Sequence, residues 1–524
     1  MLDKFYTLKN KQILSVLLLA LFLILWGVSY FHNSEYKPIY AFVSVCLFIV
    51  NLFCIFFVHN ANIQPWQAAV LIITLGSLYN FILPACTVPD EDYHFANVYK
   101  VSNSIIYGNS VTEQTTRMLM RPDVSESLSR DYHDNDLKDY YTHFWYSSSE
   151  KDIYYENPEV VGISLTNYQY IFPALIISLC RILGTSANMM LFAGREFNLL
   201  LFAYLIFISL KILPQMRPSL LMMSIFPMTL VLAASYSYDS ISISAMILFY
   251  AMIIRCIKNN KPVSLKELLV ISLLFTLIIP IKLVYFPVIL MFFLVKRNQF
   301  VRPQYRYLWI SVVCIITVFI MIASHGDFIR FYFTKAYDPT ATVQEVSISD
   351  NSESTSPDSD YDEEHIWTVG DIKSEPLEFI GVIFRSIFDS SNQLFMNISG
   401  YYFGWFSYQI PITIACIFPI LFILSIRSDE AVSSSIAEKC IFIIIIVSTF
   451  SLVLLSMLLA ETPYGFNTVR GVQGRYFIPI LPLLSLILNR SNSQKTLVSP
   501  SKLVKISVLM NSVVILYLLN DVLS

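Results

Sequence analysis

Residues 68–86, AAVLIITLGSLYNFILPAC, run straight into Thr87-Val88-Pro89-Asp90-Glu91-Asp92-Tyr93-His94. An apolar segment long enough to cross a bilayer thus ends on three carboxylates and an imidazole, where a membrane helix should meet water. If the chain turns helical after Pro89, Asp90 and His94 share a face at i,i+4 and Glu91 meets His94 at i,i+3. Several acid/base or ligand groups then converge. The same residues would also serve simply to offset a helix macrodipole and solvate a membrane exit. The local pattern leaves both readings open.

The rest of the composition fixes the class. Of 524 residues, 55% are hydrophobic and 14% charged, against roughly 25% charged in soluble proteins. Mean hydropathy is +0.59, which indicates an all-α polytopic integral membrane protein embedded in a lipid bilayer. A net charge of -3 argues for neither a nucleic-acid partner nor a polyanion. The cysteines, among them Cys46, Cys54, Cys256, Cys314, Cys416 and Cys440, fall mostly inside apolar runs with no metal-like spacing. They read as small apolar residues.

Apolar runs lie near 13–31, 39–58, 67–86, 192–213, 219–235, 241–257, 268–280, 283–295, 308–323, 410–426, 441–459, 477–488 and 506–519. That predicts about thirteen spans, the first of them uncleaved. Lys4, Lys9 and Lys11, then Lys211 and Arg217, Arg255 to Lys266, Lys296 to Arg306, Arg427 and Lys439, and Arg490 to Lys505 all fall on one side of that count. By the positive-inside rule this side is cytoplasmic. The count requires that 168–183, interrupted by Pro173 and Arg181, lie on the outer surface as a juxtamembrane helix.

Five regions follow: a three-span segment 1–86, an outer loop 87–191 with the acidic motif, a membrane core 192–323, an outer loop 324–409 and a C-terminal membrane segment 410–524. The first loop carries Asp139-Tyr140-Tyr141-Thr142-His143-Phe144-Trp145-Tyr146, a surface for stacking sugars or an anchor at headgroup level. The second contains the acidic stretch 350–364, which reads as a solvated linker and lacks the glycine of a calcium-binding loop.

Several short motifs occur in one order. They are Pro89-Asp90-Glu91 with His94; Asn167-Tyr168; Gly194-Arg195-Glu196-Phe197-Asn198-Leu199-Leu200; Phe226-Pro227-Met228 with Ser235-Tyr236-Ser237-Tyr238-Asp239; and Gly471-Val472-Gln473-Gly474-Arg475-Tyr476-Phe477 with Pro479 and Pro482. The set resembles the bacterial "domain of unknown function 2142" membrane-protein family, which is generally grouped with the GT-C glycosyltransferases. The resemblance covers roughly 86–300 and 461–488. Two extra spans before the acidic motif, where that superfamily usually has one, and the acidic insertion depart from it.

The resemblance implies a GT-C-like fold in the bacterial inner membrane, with the catalytic acidic residue on the first extracytoplasmic loop. The expected donor is a polyprenyl-phosphate-linked sugar, and the acceptor an extracytoplasmic glycan such as O-antigen or another cell-surface polysaccharide. Asp90 or Glu91 then acts as general base, with inversion at the sugar. His94 orients that base or joins it in holding a divalent cation, so metal dependence stays open. Cations on the outer side, Arg475, Lys282, Arg470 and Arg195, are candidates for the donor phosphate. Snorkelling and helix-end solvation are their plain alternatives. Asp239, Gln473 and Tyr476 are candidate substrate contacts, although Asp239 equally suits a helix cap. A polymerase or ligase acting on lipid-linked oligosaccharides would use the same arginines; a lipid-linked glycan transporter would instead call for charged or broken helices near the bilayer midplane and repeated halves, and the sequence shows no convincing internal repeat. With no glycine-rich phosphate loop, direct use of a nucleotide sugar finds no support.

Overall fold

The computed structural model describes residues 36–58, 63–108, 117–129, 137–148, 151–156, 167–259, 261–334, 365–389, 391–404, 407–430, 432, 434–489 and 498–523, with part of 13–28. The acidic stretch 350–364 and the basic residues Lys4, Lys9, Lys11, Arg490 and Lys495 lie outside them.

Among the described residues, seven helices are long and apolar enough to cross a membrane: Lys37–Phe57, Pro65–Ile82, Ala187–Ile212, Asp239–Lys258, Gln304–Ala323, Ile436–Glu461 and Pro500–Val522. An eighth span arises if Pro214–Ser224 and Pro227–Ala233, bent by 84°, count as one. The bend has a local cause: Phe226 is extended (φ -60°, ψ 141°) ahead of Pro227, which excludes it from the helix and brings no N–H.

Four of the about thirteen runs expected to span are shorter apolar elements among the described residues. The runs at 268–280, 283–295, 410–426 and 477–488 become Leu265–Ile278 of 14 residues, a 3-10 helix Leu283–Leu294 of 12, Ile412–Ile426 of 15, and Gly474–Leu488. Pro287, Pro419 and Pro479 sit inside the last three, where each removes a backbone donor from the hydrogen-bond ladder.

Hydrogen bonds sort the loops into two ends. At one, Ser501 Oγ donates to the Val58 carbonyl (2.6 Å), Glu430 N to Gln215 O (2.9 Å), Asn489 Nδ2 to Glu430 O (3.1 Å) and Gln299 Nε2 to Cys256 O (2.8 Å). Lys258 pairs with Glu438 there at 2.8 Å. At the other, Tyr40 donates to Asn520 (3.2 Å), Arg195 to the carbonyls of Leu83 and Pro84 (2.9 Å each), and Tyr285 to Tyr476 O (2.8 Å). The described Lys and Arg groups at 211–217, 255–266, 296–306, 427–439 and 502–505 belong to the first end, and the acidic motif with Lys282 and Arg475 to the second.

At that second end the Glu91–Tyr107 helix packs beside Ile171–Ile182, which follows a 3-10 turn Asn167–Tyr170. The latter helix exposes Ile171, Phe172, Leu175, Leu179 and Ile182 and buries Ala174 and Ile177, the amphipathic arrangement expected of a juxtamembrane helix. Asp152 ties the loop to both helices, accepting from Tyr99 (2.7 Å), Tyr107 (2.5 Å) and Arg181 (2.8 Å). The aromatic stretch divides: Tyr141 stacks on Phe81 and Phe144 packs edge-on to Phe192, whereas Trp145 and Tyr146 are exposed. Tyr141 and Phe144 thus pack against membrane helices, and the exposed rings leave part of the stretch free of that packing.

Close helix approach depends on glycine. A Cβ on Gly194 would lie 2.1 Å from the Tyr236 hydroxyl. That hydroxyl is held by the carbonyls of Met190 and Leu191 at 3.0 Å each and has no room to swing. We predict that Gly194→Ala lowers stability by about 1–3 kcal/mol through overpacking, measured as a fall in thermal midpoint of the detergent-solubilised chain. An unchanged midpoint would contradict this packing.

Candidate functional site: a buried charge cluster

The turn after the second described helix carries two left-handed non-glycine residues, Cys86 (φ 63°) and Asp90 (φ 62°). Such residues are sparse and concentrate at functional sites. In this conformation Asp90 ends the turn without capping the Glu91–Tyr107 helix with its side chain. Its carboxylate, 47% exposed, instead accepts from Arg475 Nη2 at 3.1 Å.

One residue on, Glu91 points the other way. It is 1% exposed and bound in a fork by Arg195, with Nε to Oε1 at 2.8 Å and Nη2 to Oε2, and it also accepts the Tyr236 N–H at 3.1 Å. The expectation that Glu91 and His94 meet as neighbouring acid/base groups is corrected: the Arg195 fork holds Glu91 inside the bundle. Nor is Arg195 open to a ligand phosphate, since its remaining donors reach Leu83 and Pro84 carbonyls.

His94 is buried, its Nδ1 2.7 Å from the Tyr170 hydroxyl and its ring edge-on to Tyr238 at 4.7 Å. Desolvation, reinforced by Arg475 and Lys282 and opposed by Asp239, pushes its pKa down to about 3. The imidazole is neutral at working pH.

Beyond it, Asp239 opens the Asp239–Lys258 helix, 2% exposed, and accepts from Lys282. The Lys282 ammonium lies between the rings of Tyr476 (4.4 Å) and Tyr238 (5.0 Å). Arg475 Nε is 3.8 Å from the Asp239 carboxylate, an ion-pair contact too long for a hydrogen bond. Arg475 is 5% exposed, yet its Nε and Nη1 have no hydrogen-bond partner. Buried donors left open in this way call for an explanation.

A small pocket, partly open to solvent, adjoins them, and Arg475 lines it. Leu83, Val88, Met228, Val231 and Phe403 form apolar walls, and Asn397 and Gln473 add polar groups. The Asn397 Oδ1 is likewise buried without a partner. Gly474, at the start of the 3-10 helix Gly474–Ile480, lets this segment approach: a Cβ there would stand 2.2 Å from the Leu394 carbonyl.

Thus the structure brings together Asp90, His94, Asp239, Lys282, Arg475 and Tyr476, with Gln473 at the cavity. It does not bring Arg470, which is exposed, over the Phe466 ring at 4.9 Å, with its backbone N–H on Thr462. Among the described residues no group of three or more His, Cys, Asp and Glu is placed to hold a metal ion. The carboxylates face Lys282 and Arg475 instead. Sequence reasoning missed Tyr170, Tyr238 and Asn397. Tyr170 lies just after a quoted motif and Tyr238 inside one; Asn397 fell in a segment read as loop and carried no signal.

A helical bundle with a charged, half-open cluster and a small apolar pocket at one end defines a polytopic membrane protein. The model of the family "Predicted membrane protein (DUF2142)" matches residues 71–484, and the chain belongs to that family. No curated protein and no solved structure matches it.

Two outcomes follow from this arrangement. Glu91→Ala leaves Arg195 buried and unpaired, a loss of about 3–5 kcal/mol, and its folded yield in detergent should collapse, whereas Asp90→Asn should keep wild-type yield. As pH falls from 6.5 toward 3, the unfolded chain protonates a histidine that the native state keeps neutral, so stability declines. A His94→Asn variant should show a shallower decline in thermal midpoint over that window.

Proposed function

We propose that the chain is a glycosyltransferase of the GT-C kind, moving a sugar from a polyprenyl-phosphate-linked donor to an extracytoplasmic glycan acceptor such as O-antigen or another cell-surface polysaccharide. The observation that carries the proposal is Arg475: a buried guanidinium with two unspent donors, on the wall of an apolar cavity and beside a half-exposed carboxylate. Apolar walls suit the first isoprene units, and the guanidinium suits the phosphate.

Charge balance supports the same reading. Lys282 and Arg475 oppose Asp239 and Asp90, so the cluster is neutral when His94 is. The acceptor hydroxyl oxygen attacks the anomeric carbon, and the carbon–oxygen bond to phosphate breaks with its electron pair on the phosphate. The hydroxyl proton passes to Asp90. The cluster then carries one positive charge as the phosphate, formerly a singly charged diester, gains one negative charge. Glu91 is a positioning residue here, fixing the start of the helix that holds Asp90 in place.

Orientation follows the positive-inside rule. Lys211, Arg217, Arg255, Lys258, Lys296 and Lys439 belong to the end opposite the cluster, which makes that end cytoplasmic and the cluster extracytoplasmic in the bacterial inner membrane. The short apolar segments Leu265–Ile278, Leu283–Leu294, Ile412–Ile426 and Gly474–Leu488 each connect a loop at one end with a loop at the other. With them the chain makes about thirteen crossings, and the 3-10 rise of ~2.0 Å per residue helps twelve residues reach.

The test is the composition of the host surface glycan, by mass spectrometry, in a deletion strain. Complementation with wild type should restore one side-branch sugar. Asp90→Asn and Arg475→Gln should fail, with transfer reduced by about 10²-fold or more for loss of the base. Full restoration by Asp90→Asn contradicts the base assignment, and a shortened polymer with unchanged branching points to a polymerase or ligase.

A further inference from the structure

The helix Pro376–Asp389 lies in the region that the sequence marks as a solvated outer loop, yet it is apolar on almost every side. Val382 packs with Trp367, Leu454, Leu458 and Val469 in a separate small core, with Phe379, Ile383 and Ile387 against it. On the opposite face Leu377 (83%), Ile380 (52%), Phe384 (59%) and Phe388 (68%) are exposed at i, i+3, i+7 and i+11. Phe319 and Ile322, on the candidate span Gln304–Ala323, are 69% and 60% exposed. The outward face of this helix is therefore as open as a lipid-facing surface.

Its inner face rests on Leu454 and Leu458, in the last turns of the spanning helix Ile436–Glu461, which places it at the edge of the membrane-crossing bundle. The acidic stretch 350–364 that precedes it in sequence is poor in apolar residues and makes a poor cover. We propose that Pro376–Asp389 lies in the bilayer interface at the cluster end, with Leu377, Ile380, Phe384 and Phe388 among the lipid acyl chains. Its polar edge, Glu378, Arg385 and Asp389, has no net positive charge, so insertion is apolar and does not require anionic lipid.

The placement matters to the site because the helix is tied to the segment that leads to Arg475. Arg385 Nε donates to Asn467 O at 3.0 Å, and Ser386 Oγ accepts the Val469 N–H at 2.7 Å. Trp367 N donates to Thr462 O at 3.1 Å, and Tyr464 to Glu375 at 2.7 Å. The proposal concerns where this helix lies and does not depend on the reaction.

The test is photolabelling of the full chain in vesicles by a phosphatidylcholine with a diazirine in its acyl chain, with adducts located by mass spectrometry. Adducts on 376–389 comparable to those on 304–323, equal in pure phosphatidylcholine and with added phosphatidylglycerol, are expected. Phe384→Asn/Phe388→Asn should lose the former by several-fold and keep the latter, which reports an intact fold. Labelling of 304–323 alone overturns the proposal. So does an anionic-lipid requirement, oxidation of Phe384 and Phe388 by hydroxyl radicals in water, or protection from both reagents, the mark of cover by a second copy or by another segment of the chain.

Discussion

The ion pair between Glu91 and Arg195 is the interaction on which the rest of the site depends. It joins the first extramembrane helix to a spanning helix and, through the Leu83 and Pro84 carbonyls and the Tyr236 N–H, to two further elements. A buried pair of this kind adds little net stability against an apolar alternative, but it is costly to break, so it specifies one arrangement. With Glu91 fixed inward, Asp90 is left in the left-handed region and its carboxylate is directed outward to Arg475. Two adjacent carboxylates thus take separate tasks because one faces a guanidinium inside the bundle and the other stands at its edge.

The cluster behind Asp90 is a balance of desolvation against pairing. Lys282 and Asp239 are both buried and hold each other, the ammonium further flanked by two tyrosine rings. Arg475 is shared between Asp90 and Asp239 without being saturated by either. Such a group gains from an incoming anion without first losing a full set of bonds. His94, kept neutral, adds a hydrogen-bonding wall and no charge.

Much of this was legible in the sequence, for identifiable reasons. Composition and apolar runs gave the membrane class, and the run at 168–183 falls on the amphipathic helix Ile171–Ile182. Charges in a membrane protein are few, so Asp90, Asp239, Lys282 and Arg475 stood out, and four of the quoted motifs do meet at the site. What failed did so where one-dimensional reading has no access. Hydropathy cannot weigh Pro287, Pro419 or Pro479 inside an apolar run, so it does not separate the long helices from the short or 3-10 elements found there. Spacing cannot tell which of two adjacent acids turns inward, hence the pairing of Glu91 and His94. Arg470 and Arg475 flank the same glycines, but only the second sits where Gly474 brings the backbone against Leu394. The helix at 376–389 was hidden by the acidic composition of the loop around it.

The most direct test of the central claim is binding, measured on the purified chain in detergent by native mass spectrometry, of a polyprenyl phosphate against the corresponding polyprenol. The account predicts that the phosphate binds and the alcohol does not, that Arg475→Gln weakens phosphate binding by about tenfold or more, in line with loss of a charge-assisted contact, and that Asp90→Asn retains it. Equal binding of phosphate and alcohol, or an Arg475→Gln variant with wild-type affinity, would contradict the assignment of this cluster to a lipid phosphate.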